Sequence, residues 1–143
     1  TIRADKMFVD AYTSALNEGE IITEVRVPAM ESGTGWSYQK LANRASRFAV
    51  VGIAALVATD EAGACTRARV AVTGAGPAPV RARATERYLV GKQLTPANIA
   101  KAAARATNGI EFLGDVHGSP EYREHLTAEL TKRALTEASE RIG

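Results

Sequence analysis

Cysteine is almost absent from this 143-residue chain: Cys65 stands alone. No disulfide can form within it, and no thiolate cluster can hold zinc or an iron–sulfur centre. The simplest setting is therefore a reducing, cytoplasmic one. Aromatic residues make up only 6% of the sequence, so a core must be built from Ala, Val, Ile and Leu. There is no long hydrophobic run. The most apolar stretch, Phe48 to Ala58, is about half of what a membrane span requires. Charge of one sign is lacking too: 18 Lys and Arg face 16 Asp and Glu, for a net +2. The nearest approach to a nucleic-acid patch, Arg67 to Arg87, reads better as a solvated face. The first residues, Thr1-Ile-Arg-Ala-Asp-Lys6, carry no signal-peptide pattern, and the missing initiator Met reads as a processed chain or a fragment.

What is present is enough for one compact domain, with hydrophobic residues at 45% and charged residues at 24%. Phe8 to Leu16 is irregular, and Asn17-Glu-Gly19 is a turn signal. Ile21 to Val27, rich in Ile and Val and closed by Pro28, predicts a strand. Trp36 to Leu41 alternates as a half-buried strand should. Phe48 to Thr59 favours strand through Val50, Val51, Ile53 and Val57, although its alanines leave helix open. Across the Asp60-Glu-Ala-Gly63 turn, Thr66 to Thr73 alternates again, so the pair predicts an antiparallel hairpin.

The second half changes character. Pro79 suggests the start of a helix from Val80 to Val90, closed by Gly91. Thr95-Pro96 opens a second helix near Ala97 to Ala106, ending at Asn108-Gly109. Ser119-Pro120-Glu121 opens a third, in which Tyr122, Leu126, Leu130, Ala134 and Ala138 fall at helical spacing. Strands first and helices afterwards predict an α+β fold: an antiparallel sheet of three to four strands covered on one face by three helices.

Several motifs dissolve on inspection. Gly74-Ala-Gly76 follows a strand, but Pro79 stands where the dinucleotide fingerprint needs its third glycine. Pro77 also lacks a backbone donor for phosphate, so a rigid turn is the better reading. His117 and His125 do not have metal-ligand spacing and read as a loop residue and a helix-surface residue. Ser119 is a helix cap rather than a nucleophile, and Cys65 has no neighbour that would activate it. The segment Tyr38 to Phe48 is richer, with Lys40, Asn43, Arg44, Ser46 and Arg47 between two strands. Such a loop could hold an electron-rich ring or a phosphate, or simply be solvated; spacing does not decide.

That segment, Tyr38-Gln-Lys40-Leu-Ala-Asn-Arg44-Ala-Ser46-Arg-Phe48, resembles a stretch in the flavin subunits of carbon monoxide dehydrogenase-type molybdenum hydroxylases. So do Tyr12 to Pro28, Arg69 to Pro77, and Gly114 to Leu126 with Lys132-Arg133-Ala134, all in order. The resemblance implies the carboxy-terminal domain of an FAD subunit. Residues 1–20 would be the tail of an upstream FAD-binding domain or a linker, and 21–143 the carboxy-terminal domain proper. It implies FAD shared with that upstream domain, present on the same or a separate chain. It further implies an iron–sulfur small subunit with [2Fe–2S] clusters and a large subunit with molybdopterin. By position, Lys40 would face the flavin's polar edge and Ile22 would pack near the ring. Arg44 and Ser46 would lie on the loop that controls access to the flavin. The alternative is a subunit-docking module that no longer contacts flavin.

Overall fold

In the computed structural model, residues 1–142 are described. A short helix α1 (Ala4–Met7) leads into a small ribbon, β1 (Phe8–Asp10) and β2 (Thr13–Ser14). The main sheet has four antiparallel strands in the order β3 (Thr34–Ala42), β4 (Ala49–Thr59), β5 (Cys65–Thr73) and β6 (Val80–Arg81). Helices α2 (Arg83–Leu89), α3 (Pro96–Ala103) and α4 (Pro120–Glu140) follow. The expected α+β architecture is therefore present, with strands before helices and the hairpin β4–β5 at its centre.

The hairpin forms because its alternation and its turn agree. Gly63 takes φ +80, and the Asp60 carboxylate accepts the Ala64 N–H at 2.8 Å. In register, Gln39 faces Ile53 and Ile53 faces Val72, so one set of side chains points to one face of the sheet. On that face Val51, Ile53, Val57, Val70 and Val72 are buried with Leu89, Ile99 and Leu135. Each such side chain contributes ~1.5–3 kcal/mol by leaving water. Helix α4 lies across β3 and β4, α2 packs on β5, and α3 bridges α2 and α4. Small residues make the close approach possible: Ala55, Ala102, Ala106, Ala134 and Ala138 are all buried.

The proline-led caps act as expected at two of three sites. Thr95 accepts the Asn98 N–H at 3.2 Å, and Ser119 accepts the Tyr122 N–H at 3.2 Å; each cap is worth ~1 kcal/mol. Pro79 differs. It precedes the two-residue strand β6, and the helix begins only at Arg83, without a side-chain cap at Ala82. The reason is the β5 edge. Val80 and Arg81 pair with it, Ala82 N–H bonds Val70 O at 2.9 Å, and the buried Glu86 carboxylate accepts the Val70 N–H at 2.9 Å. Arg81 Nε, 2.5 Å from Glu86 Oε1, neutralises that carboxylate. The second helix likewise stops at Ala103 rather than Ala106, and turns carry the chain on to Gly109 at φ +77.

The strand expected over Ile21 to Val27 does not form. Those residues follow the turn at Gly19 without pairing in either sheet, and Ile21, Ile22, Val25 and Val27 are all exposed. Strand propensity describes residues that suit a half-buried pleat, and this segment has neither a pairing partner nor a surface beneath it. The chain joins the core only from Thr34 onward. There Arg67 donates to Glu31 at 2.6 Å and to the Thr34 hydroxyl at 2.9 Å.

Candidate functional site: the β3–β4 turn and the open sheet face

Among the described residues, the second face of the sheet carries no helix. Register places Trp36 beside Leu56 and Arg69, Tyr38 beside Ala54, Ala71 and Arg81, and Lys40 beside Gly52 and Thr73. Trp36, Tyr38 and Lys40 are exposed there, and the tip of Tyr38 leans over the Cα of Gly52. At one end of this face β3 turns into β4 through residues 43–48.

That turn is built around Asn43. Its Oδ1 accepts the N–H groups of Ala45 at 2.9 Å and Ser46 at 3.0 Å, and its backbone bonds Phe48 O and Arg47 N. Ser46 Oγ accepts the Phe48 N–H at 3.3 Å. Arg47 is held at φ +62, a conformation that a non-glycine residue adopts only when its surroundings enforce it. Lys40 Nζ donates to Arg47 O at 3.2 Å. An ammonium has three donors, so this bond leaves Lys40 able to serve a ligand on the open face.

The structure thus brings Lys40, Arg44 and Ser46 together on one strand end and its turn. Ile22 lies elsewhere in the chain, on the exposed 20–31 segment, and no hydrogen bond ties it to the turn. Two further loops meet the turn. One is Gly74 to Gly76, the other residues 113–118, and they are linked by Leu113 N–H to Ala75 O at 3.0 Å. A Cβ on Gly74 would stand 2.7 Å from Ala49 O, and one on Gly76 2.9 Å from Glu111 O. These glycines serve close backbone packing, which agrees with a rigid turn and not a phosphate cradle.

Sequence reasoning passed over the residues that fasten these loops. Arg123, on α4 and 6% exposed, donates Nη1 to Val50 O and to Gly74 O, each at 2.6 Å, and pairs Nη2 with Asp115 Oδ2 at 2.7 Å. The other Asp115 oxygen accepts the His117 N–H at 2.8 Å. That N–H, and then Arg123, hold the Asp115 carboxyl below the usual carboxylate range. His117 Nδ1 lies 3.0 Å from Asn43 Nδ2. The legible signal was the Asp-x-His-Gly spacing at 115–118, an Asx-type turn followed by a helix cap. Cys65 is buried at the start of β5, and burial pushes its thiol up, away from a reactive thiolate.

Comparison with known proteins places this geometry. The model of the CO dehydrogenase flavoprotein C-terminal domain family matches residues 36–138. The chain belongs to that family. It is 34% identical over 95% of its length to the 6-hydroxypseudooxynicotine dehydrogenase complex subunit alpha of Paenarthrobacter nicotinovorans, covering 46% of that protein. It is 33% identical over 96% of its length to the carbon monoxide dehydrogenase medium chain of Hydrogenophaga pseudoflava, covering 48% of it. In structure, it matches a chain of the H. pseudoflava carbon monoxide dehydrogenase that lacks the Mo-pyranopterin moiety, with TM-score 0.90, 34% identity and 97% of this chain against 48% of that one. Quinoline 2-oxidoreductase from Pseudomonas putida 86 gives 0.85 at 29% identity, with 97% and 48% coverage. The chain thus spans about half the length of the relatives it matches. Among the described residues, no helix is long and apolar enough to cross a membrane.

Proposed function

We propose that this domain covers the flavin of an FAD subunit in a molybdenum hydroxylase. In that reading electrons pass from molybdopterin and [2Fe–2S] centres on the large and small partner subunits, through FAD, to an external acceptor in the cytoplasm. FAD would be shared with an FAD-binding domain preceding this one, residues 1–20 being its tail or a linker and 21–143 the covering domain. When bound, the flavin supplies the two-electron chemistry and its one-electron steps.

The observation that carries the reading is Lys40, an exposed ammonium on the open sheet face with one donor committed to Arg47 O. Facing the flavin's polar edge, it would stabilise the negative charge of a reduced ring and raise its potential. At 4 Å such a pair is worth about 4 kcal/mol at an effective dielectric of 20. Arg44 and Ser46, exposed on the adjoining turn, would limit what reaches the ring, and Ile22 would exclude water beside it. Tyr38 and Trp36, each about half exposed and Trp36 with Arg141 against its ring, supply aromatic surface on the same face, suited to burial by a neighbouring domain.

Lys40→Ala in the assembled complex is the test. Flavin reduction or re-oxidation should be impaired while assembly and molybdenum-site turnover with an artificial acceptor persist. Flavin kinetics indistinguishable from wild type would leave the domain as a docking module only.

A further inference from the structure

The Asn43 amide has a fixed orientation. Its oxygen accepts two backbone N–H groups, from Ala45 and Ser46, which cannot exchange donor for acceptor. The nitrogen that faces His117 Nδ1 at 3.0 Å is therefore a donor, and Nδ1 must accept. The tautomer that makes this bond carries its proton on Nε2. The position of His117 is set from below. The Asp115 carboxylate holds its N–H, and the buried Arg123 holds Asp115 while clamping Val50 O and Gly74 O.

We propose that His117 is a positioning residue for the flavin-facing turn, acting as a hydrogen-bond acceptor in its Nε2–H tautomer. The relay runs from Arg123 through Asp115, His117 and Asn43 to the positive-φ Arg47, whose carbonyl oxygen receives the Lys40 ammonium. A strained residue keeps its conformation only while its surroundings over-determine it. Without the His117 bond, Asn43 is held only from within the turn, and the Lys40 anchor loosens with it. The proposal rests on the flavin-covering reading for its consequence, but not for the relay itself.

The experiment uses the full-length FAD subunit in its complex, with His117→Phe, His117→Asn and Lys40→Ala. Phe removes the acceptor. Asn restores one, because its Oδ1 sits at the same bond separation from the backbone as Nδ1 of histidine. Amide exchange at Ala45 and Ser46 reports the turn whether or not flavin is near. It should rise roughly tenfold in His117→Phe, as expected for loss of one hydrogen bond, and return in His117→Asn. Flavin re-oxidation should change several-fold in His117→Phe and recover in His117→Asn. The ¹⁵N spectrum of labelled histidine should show His117 protonated on Nε2 alone.

Unchanged exchange in His117→Phe, or a proton on Nδ1, overturns the proposal. Raised exchange with wild-type flavin kinetics also overturns the positioning role, and Lys40→Ala then separates the two ideas. If Lys40→Ala impairs the flavin, only the role of His117 has failed. If it does not, the flavin-covering reading has failed as well.

Discussion

Gly35 on β3 and Ala138 on α4 touch backbone to backbone: a Cβ added to Gly35 would stand 1.9 Å from the Ala138 carbonyl oxygen. The contact sets how closely the long helix lies on the edge strand. The neighbouring polar groups depend on it. Glu137 accepts from Ser37 Oγ at 2.6 Å and from Gln39 Nε2, while Arg141 bonds Trp36 O at 3.0 Å and stacks 4.6 Å from the Trp36 ring. Gly35→Ala should push α4 off the strand and destabilise the domain by about 3 kcal/mol, the upper range for overpacking. The urea midpoint measures this, and a variant within ~0.5 kcal/mol of wild type, the span of ordinary surface changes, would show that the helix is free to shift.

Arg123 is the second point where the fold is pinned. Its Nη1 serves two main-chain carbonyls from different loops, and its Nη2 serves Asp115. Arg123→Met takes this donor from the buried Val50 carbonyl and the half-buried Gly74 carbonyl and removes the charge partner of Asp115. The loss should be about 3 kcal/mol, at the low end for breaking a buried pair because Asp115 keeps contact with solvent. Arg123→Lys should recover only part of it, since one ammonium cannot reproduce the planar fork. Equal stability of Lys and Arg variants would refute the bidentate role.

The two pins differ in how they could be read from sequence. The hairpin, the caps at Thr95 and Ser119, and the strand-then-helix order were all visible, because each depends on neighbours within a few residues. Lys40, Arg44 and Ser46 were visible as a polar cluster between strands. Arg123 was not, because its carbonyl partners lie 49 and 73 residues away and a helix offers no local hint that one arginine faces inward. Ile21 to Val27 misled for the mirror reason: local β propensity was strong, but the pairing it requires is a property of the whole fold. Pro79 fits either a helix start or an extended entry, and only the β5 edge decides between them.

Asp115 gives the site a pH signature. Its folded pKa lies below its unfolded one, so the bonds it receives stabilise the fold above the unfolded carboxylate range. That contribution is lost as pH falls below about 4 and through the depressed folded value. Asp115→Asn should therefore be less stable than wild type at neutral pH, and the gap should close on acidification. Urea midpoints of both proteins at matched pH give the comparison; a gap that stays constant down to pH 3 would mean that the carboxylate charge contributes nothing.

Thr131 predicts a change of the opposite sign. One turn earlier on α4, the Thr127 hydroxyl bonds Arg123 O at 2.8 Å, which is how a buried helical threonine usually satisfies itself. Thr131 is equally buried, yet its Oγ1 has no hydrogen-bond partner. A hydroxyl in that position forfeits its bonds to water and receives nothing in return. Valine has nearly the same shape and no such debt, and its helix propensity is close to that of threonine. Thr131→Val should raise stability by about 1 kcal/mol, whereas Thr127→Val, which breaks a made bond, should lower it by a similar amount. The thermal midpoints of the two variants should therefore move in opposite directions from wild type. A fall for both would mean that Thr131 finds an acceptor in solution, with the i−4 carbonyl of Thr127 the first to test.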